Sequence, residues 1–180
     1  MKKLFPHFPF DLTETPQSFV ARLAWLHTAG ATVPFLNDIG IKPEELMSNE
    51  PHAINALAEI AEVDSVAVGN NAAMRVAKRT YDLRGSHVSA EFMSRPATVF
   101  CPACLAADDA TYGNPRLRRD RWVWTLSVVR TCPTHGLSLI QRSKTKWDGE
   151  LHALSQRVPE IGQELINLAG KQQTRKVSSL

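Results

Sequence analysis

Two short strings decide how this chain is read: Cys101-Pro102-Ala103-Cys104 and, after 27 intervening residues, Cys132-Pro133-Thr134-His135. Together they form a C-x2-C-x27-C-x2-H pattern that uses every cysteine of the 180-residue chain. Thiolate sulfur and imidazole nitrogen are the donors tetrahedral Zn2+ prefers, and structural zinc sites take them in close pairs. The two-residue gap lets both side chains of one tight turn reach a single ion. A proline after the first cysteine of each pair stiffens that turn, and Gly136 lets the backbone leave it with positive φ. Four protein donors complete a tetrahedron, so Cys101, Cys104, Cys132 and His135 are expected to hold one structural Zn2+ per chain, with no position left for a reacting water. Such an ion contributes on the order of 10 kcal/mol to folding. A C-x2-C redox pair would leave Cys132 and His135 unexplained, and no thioredoxin-like βαβ alternation surrounds the motif.

Between the pairs, the chain starts with Leu105, Ala106, Ala107, Asp108 and Asp109 and runs into a basic stretch. Trp122, Val123, Trp124, Leu126, Val128 and Val129 then predict a β-rich run into Cys132, with Leu137, Leu139 and Ile140 returning as a paired strand. Trp122 and Trp124, two apart, would share one strand face; core packing is favoured for at least one, and stacking on bases is the alternative. Beyond Ile140 come a polar, basic connector (141–149), a helix around Leu151 to Arg157, Pro159, and a helix with Ile161, Leu165, Ile166 and Leu168 ended by Gly170. Residues 171–180 are polar and basic and are expected to be a disordered tail.

Charge is uneven. Residues 1–94 hold 8 Lys and Arg against 11 Asp and Glu, whereas residues 95–180 hold 13 against 7. Within 116–146 stand Arg116, Arg118, Arg119, Arg121, Arg130, Arg142, Lys144 and Lys146 against Asp120 alone. A block of this kind marks a polyanionic partner, most often nucleic acid, with a solvated charged face as the plain alternative. Arg116, Arg118, Arg119, Arg121 and Arg130 are the expected phosphate contacts.

The first half reads as short helices. Thr15 is an N-cap with Pro16 at the first helical position; Phe19, Leu23 and Leu26 follow at helical spacing, and Gly30 is the stop. Pro34 and Pro43 open two short segments, the second with Glu44 and Glu45 in its first turn, where acids suit the helix dipole. Asn49 is expected to cap a helix from Glu50 to Glu62, and Asp64 to cap the next. A further helix is predicted over 72–83, with Met74, Ala77 and Tyr81 on one side and Arg75, Lys78 and Arg79 towards the other, placed to touch phosphates. The pair from Glu50 to Val68 has the form of a helix-turn-helix, though simple helical packing explains it as well.

With 43% hydrophobic and 22% charged residues the chain is neither disordered nor fibrous. No stretch reaches the roughly 18 apolar residues of a membrane helix, and the proline-interrupted start is not read as a signal peptide. The odd cysteine count fits a reducing compartment, and a cytoplasmic protein is expected. The fold class expected is mainly helical with a small zinc-bound β ribbon. Its predicted parts are a helical, helix-turn-helix-like unit (10–94), a zinc-ribbon module (95–142), C-terminal helices (150–170) and the tail (171–180).

The stretches Phe100 to Asp109 and Thr131 to Leu139, with a tryptophan-containing segment between, resemble the TniQ family. Ser18 to Ala24 is similar to that family's N-terminal S-x-L-x-R-L-A element, and residues 57–68 fall where it has a helix-turn-helix-like segment. The likeness covers roughly residues 10–140, and Cys101, Cys104, Cys132 and His135 match the family's zinc ligands. Where many relatives continue into a second Cys-Pro-x-Cys ribbon, Gln141, Arg142, Ser143 and Lys144 stand instead. The resemblance implies a non-enzymatic adaptor in bacterial DNA transposition. Such an adaptor contacts DNA, RNA or an RNA-guided CRISPR effector complex and recruits the AAA+ regulator of the transposase; a homodimer is compatible with it. The alternative is a stand-alone helix-turn-helix and zinc-ribbon DNA-binding regulator. A zinc deaminase would need H-x-E and an open zinc position. The chain also lacks H-E-x-x-H, G-x-x-x-x-G-K-[ST] and G-x-S-x-G.

Overall fold

The computed structural model describes residues 3–93, 97–143 and 153–177. Lys144, Lys146, most of the 141–149 connector, Leu151 and the last three residues of the expected tail lie outside the described residues.

Five helices come first: α1 (Pro16–Thr28), α2 (Thr32–Asp38), α3 (Pro43–Met47), α4 (Pro51–Ile60) and α5 (Ser65–Asn70). Local chemistry starts two of them as expected. The Thr15 side chain accepts from the Ser18 amide ahead of Pro16, and Asp64 accepts from the Val66 amide. Helix α1 ends one residue before Gly30, on Ala29 in the left-handed region. Asn49 does not cap α4. It sits at φ 57, buried, and its side chain bonds Gln17 and the Ala73 carbonyl, while Glu50 takes the cap position. Phe19, Leu23, Phe35, Leu36, Leu46, Ile54, Leu57, Ile60 and Val68 make the buried core of this half.

Helices α4 and α5 pack together across the 61–64 turn, but α5 has only six residues and leads straight into a strand. A helix-turn-helix is not established by this geometry.

The predicted helix over 72–83 is instead a β-meander. Strands β1 (Met74–Ala77), β2 (Thr80–Leu83) and β3 (Ser86–Ser89) pair antiparallel in the order β1-β2-β3. The reason is twofold. Arg84 and Gly85 both adopt positive φ (56° and 75°), the two-residue turn that suits a right-twisted hairpin. Leu83 also finds an apolar seat with Ala73 and Met93, against Trp122, Val88 and Leu126, that a helix would not reach.

The second half is built on β4 (Ala97–Phe100), α6 (Pro102–Tyr112), β5 (Ile140–Ser143), α7 (Leu154–Arg157) and α8 (Gln163–Val177). Strand β5 pairs with β4, Ile140 opposite Phe100, rather than with the tryptophan segment. The segment itself, Trp122–Thr125, is a single 3-10 turn, closed by the Thr125 hydroxyl donating to the Trp122 carbonyl. The two tryptophans therefore do not share a strand face: Trp124 is buried beside the cysteines and Trp122 packs under the meander. Helix α8 passes through Gly170 to Val177, so the expected stop there is not used and residues 171–177 are helical rather than a disordered tail.

A polar seam joins the two halves. The Thr15 amide donates to the Asp120 carbonyl, the Trp122 amide to the Thr13 carbonyl, and the Asp120 amide to the Ser18 hydroxyl. Beneath it, Glu14 and Arg22 form an ion pair sealed from solvent. No helix among the described residues is long and apolar enough to cross a membrane.

Candidate metal centre

Strand β4 ends at Phe100, and Cys101 is the residue that caps α6, with Pro102 at its first position. Cys104 follows within the first helical turn, so the C-P-x-C pair is a strand-to-helix junction rather than a free-standing turn. The second pair sits on a tight loop. The Gly136 amide donates to the Cys132 carbonyl at 2.8 Å, and the Cys132 amide to the Leu137 carbonyl at 2.7 Å. Gly136 turns away with φ 63, as its position suggested. The bridge between Thr131 and Ser138, followed by the β4–β5 pairing, carries this loop back onto Cys101.

The result is one cluster. Sγ of Cys101, Cys104 and Cys132 and Nδ1 of His135 all lie within 4.8 Å of one another. Cys104 Sγ lies 3.6 Å from Cys132 Sγ, and His135 Nδ1 lies 3.6, 3.3 and 3.7 Å from the sulfurs of Cys101, Cys104 and Cys132. For tetrahedral bond lengths of ~2.3 Å to sulfur and ~2.0 Å to nitrogen, donor-to-donor edges of about 3.5 to 3.8 Å follow. The donor set and its spacing therefore fit a four-coordinate metal ion. The cysteines are buried and His135 is exposed at the rim.

Proton binding tells the same story. The Cys101 thiol is pulled down to about 5, chiefly by its hydrogen bond with Cys104, against the opposing pull of burial. The same bond and burial push Cys104 up. Metal ligation takes cysteine as thiolate, so a cation bound here would release protons from the cluster.

The expected phosphate contacts are placed quite differently from one another. Arg118 is 3% exposed, bonded to the Asp109 carboxylate and to the Val158 and Glu160 carbonyls. Arg119 bonds Asp108 and Asp11, and Arg121 bonds Asp108 while lying 5.0 Å over the Trp124 ring. Asp108 is fully buried between them. These three guanidinium groups hold α6 to the seam and to the C-terminal segment; they do not stand out for phosphate. Arg116 lies over Trp25 at 5.4 Å, and Arg130 is exposed. The sequence signal for this internal role is the Asp108-Asp109 pair ahead of the basic stretch.

The buried Glu14, Ser18 and Arg22 cluster was also missed as a unit. Ser18 donates to Glu14 at 2.8 Å, Arg22 donates to it at 2.7 Å, and the Arg22 guanidinium lies against the rings of both Phe8 (4.6 Å) and Tyr112 (4.8 Å), which meet each other edge to face. Ser18 and Arg22 are thus the polar members of the 18–24 element, and they sit where the two halves meet.

A search of curated proteins finds no match. The sequence profile of the TniQ family matches residues 6–139, a span that runs from the seam through the last of the four clustered donors, and the chain belongs to the TniQ family.

Proposed function

We propose that this protein is a non-enzymatic, zinc-binding adaptor of DNA transposition, linking nucleic acid or an RNA-guided targeting complex to the AAA+ regulator of a transposase. The observation that carries the reading is the convergence of three thiols and one imidazole, inside the span that matches a transposition-associated family. Cys101, Cys104, Cys132 and His135 would hold the ion, and its chemistry would be structural: with all four positions filled by protein it anchors the start of α6 to the 132–136 loop. Zinc is favoured because thiolate-rich tetrahedral sets select it over harder cations. Adaptor function then belongs to surfaces. Arg130, exposed beside the second pair, is proposed to meet phosphate, together with Arg116.

The test uses the full chain purified without added metal. About one zinc per chain by elemental analysis and retention of an AAA+ transposition ATPase on an affinity column are the expected results. A metal-free, folded protein would overturn the zinc assignment. Failure to retain that ATPase, with or without nucleic acid, would overturn the adaptor role.

A further inference from the structure

The meander carries a feature the rest of the molecule does not absorb. Strand β1 is an outer strand of its sheet, paired only with β2, and its register slips between Arg75 and Ala77. That bulge leaves Val76 unpaired and 53% exposed. Bulges raise local twist and re-aim side chains. Here the Arg75 guanidinium curls over the hairpin end, donating to the Ala77 carbonyl at 3.3 Å and the Lys78 carbonyl at 3.0 Å. Arg75 thereby joins Lys78 and Arg79, the two residues of the β1–β2 turn. Among the described residues Lys78 has no ion pair, and the one ion pair of Arg79 is with the exposed Glu91, at 3.0 Å. Among the described residues, three exposed cations share this hairpin end with one ion-paired carboxylate, itself exposed to solvent. This differs from the 116–121 stretch, where Arg118, Arg119 and Arg121 are held by internal carboxylates.

We propose that the β1–β2 hairpin tip, through Arg75, Lys78 and Arg79, is the surface that docks on double-stranded DNA by its phosphate backbone. The inference rests on the nucleic-acid-contacting role proposed above and gives it a location. Net positive charge at a narrow tip is complementary to a phosphate-lined groove. Duplex DNA is the polyanion of the transposition role proposed above, and clustered Lys and Arg side chains bind its phosphates without entering a groove. The tip supplies positioning rather than sequence readout, because its donors are backbone-directed cations.

The experiment compares the full chain with an Arg75→Gln/Lys78→Gln/Arg79→Gln variant on a mixed-sequence DNA duplex, across a salt series. An RNA duplex of equal length is run in parallel. The expected result is a salt slope smaller by about 2 to 3 in the variant, with affinity roughly ten- to a hundredfold weaker at low salt. Matching melting temperature and metal content show that the variant is folded. A single Lys78→Gln change, expected to remove about one unit of slope, repeats the test where folding is not in question. Unchanged slope and affinity in folded variants, with a wild type that does bind DNA, overturn this proposal alone. A wild type that binds neither duplex overturns the nucleic-acid role as well. RNA binding equal to DNA binding and lost in the same variants overturns the choice of DNA.

Discussion

Arg22 Nη1 donates to Glu14 Oε2 across 2.7 Å with both side chains sealed from solvent. The pair lies where α1 meets the 120–122 segment, so it fastens two regions whose cores are otherwise separate. Removing one partner of a buried pair leaves the other charge uncompensated, at a cost of about 3 to 5 kcal/mol. Arg22→Ala also removes the cation that packs against Phe8 and Tyr112. The expected outcome is a loss near the top of that range, read as a shift in denaturant midpoint.

Glu14 also makes stability depend on pH. Burial raises its carboxyl from 4.5 to about 7, despite the opposing pull of Arg22 and Ser18. A folded-state value above the unfolded one means that the native state binds the proton more tightly. The contribution is fully present below pH 4.5 and fades as pH rises through about 7. Comparing the wild type with Glu14→Gln at steps from pH 5 to 8 isolates it. The stability of the wild type relative to the variant is expected to fall with rising pH, by at most about 1.4 kcal/mol per unit. A flat difference would show that Glu14 is not protonated in the fold.

Asp108 is the anion that Arg119 and Arg121 share, and it is fully buried. Asp108→Asn keeps the shape and removes the charge, leaving Arg121 without its carboxylate and Arg119 with Asp11 alone. A loss of roughly 3 kcal/mol or more is expected, whereas Arg130→Gln, on the surface, should stay within about 0.5 kcal/mol. Equal effects in chemical denaturation would contradict the division between structural and exposed arginines.

Loss of the proposed metal ion should act locally first. Cys104→Ser deprives the cluster of a donor that lies 3.3 to 3.6 Å from two of the others. Amide exchange is expected to accelerate across 97–143 while α1 and α4 stay protected. Chelator should produce the same pattern in the wild type, because structural zinc supplies on the order of 10 kcal/mol. Exchange across 97–143 that neither Cys104→Ser nor chelator accelerates would dispose of the metal assignment.

Gly85 has φ 75 and open space where a Cβ would go. Gly85→Ala therefore meets no neighbour and bears only the left-handed backbone penalty, about 1 to 2 kcal/mol. The measured effect should appear as faster local opening of β2 and β3. No effect would mean that the turn is not held in that conformation.

Some of this protein was legible in its letters because the physics is local. Thr15 ahead of Pro16 makes its own cap, Asp64 reaches the Val66 amide two residues on, and two cysteines three apart can meet one ion. The 72–83 misreading has the opposite cause. Met74, Ala77 and Tyr81 satisfy helical spacing, yet Val76, Tyr81 and Leu83 satisfy a strand equally well, and a window of that length cannot choose.

By itself, then, the chain's order of residues determined the starts of α1 and α5, the four candidate donors and the family. Tertiary structure alone decided that Leu83 lies against Trp122 and Met93, that Nδ1 is the imidazole nitrogen facing the sulfurs, and that Arg119 finds Asp11 and Asp108. The physical reason is range. Caps and close donor pairs act over a turn of backbone, whereas the fate of a charge or an apolar side chain depends on what the fold brings to it from a hundred residues away, as with Arg119 and Asp11.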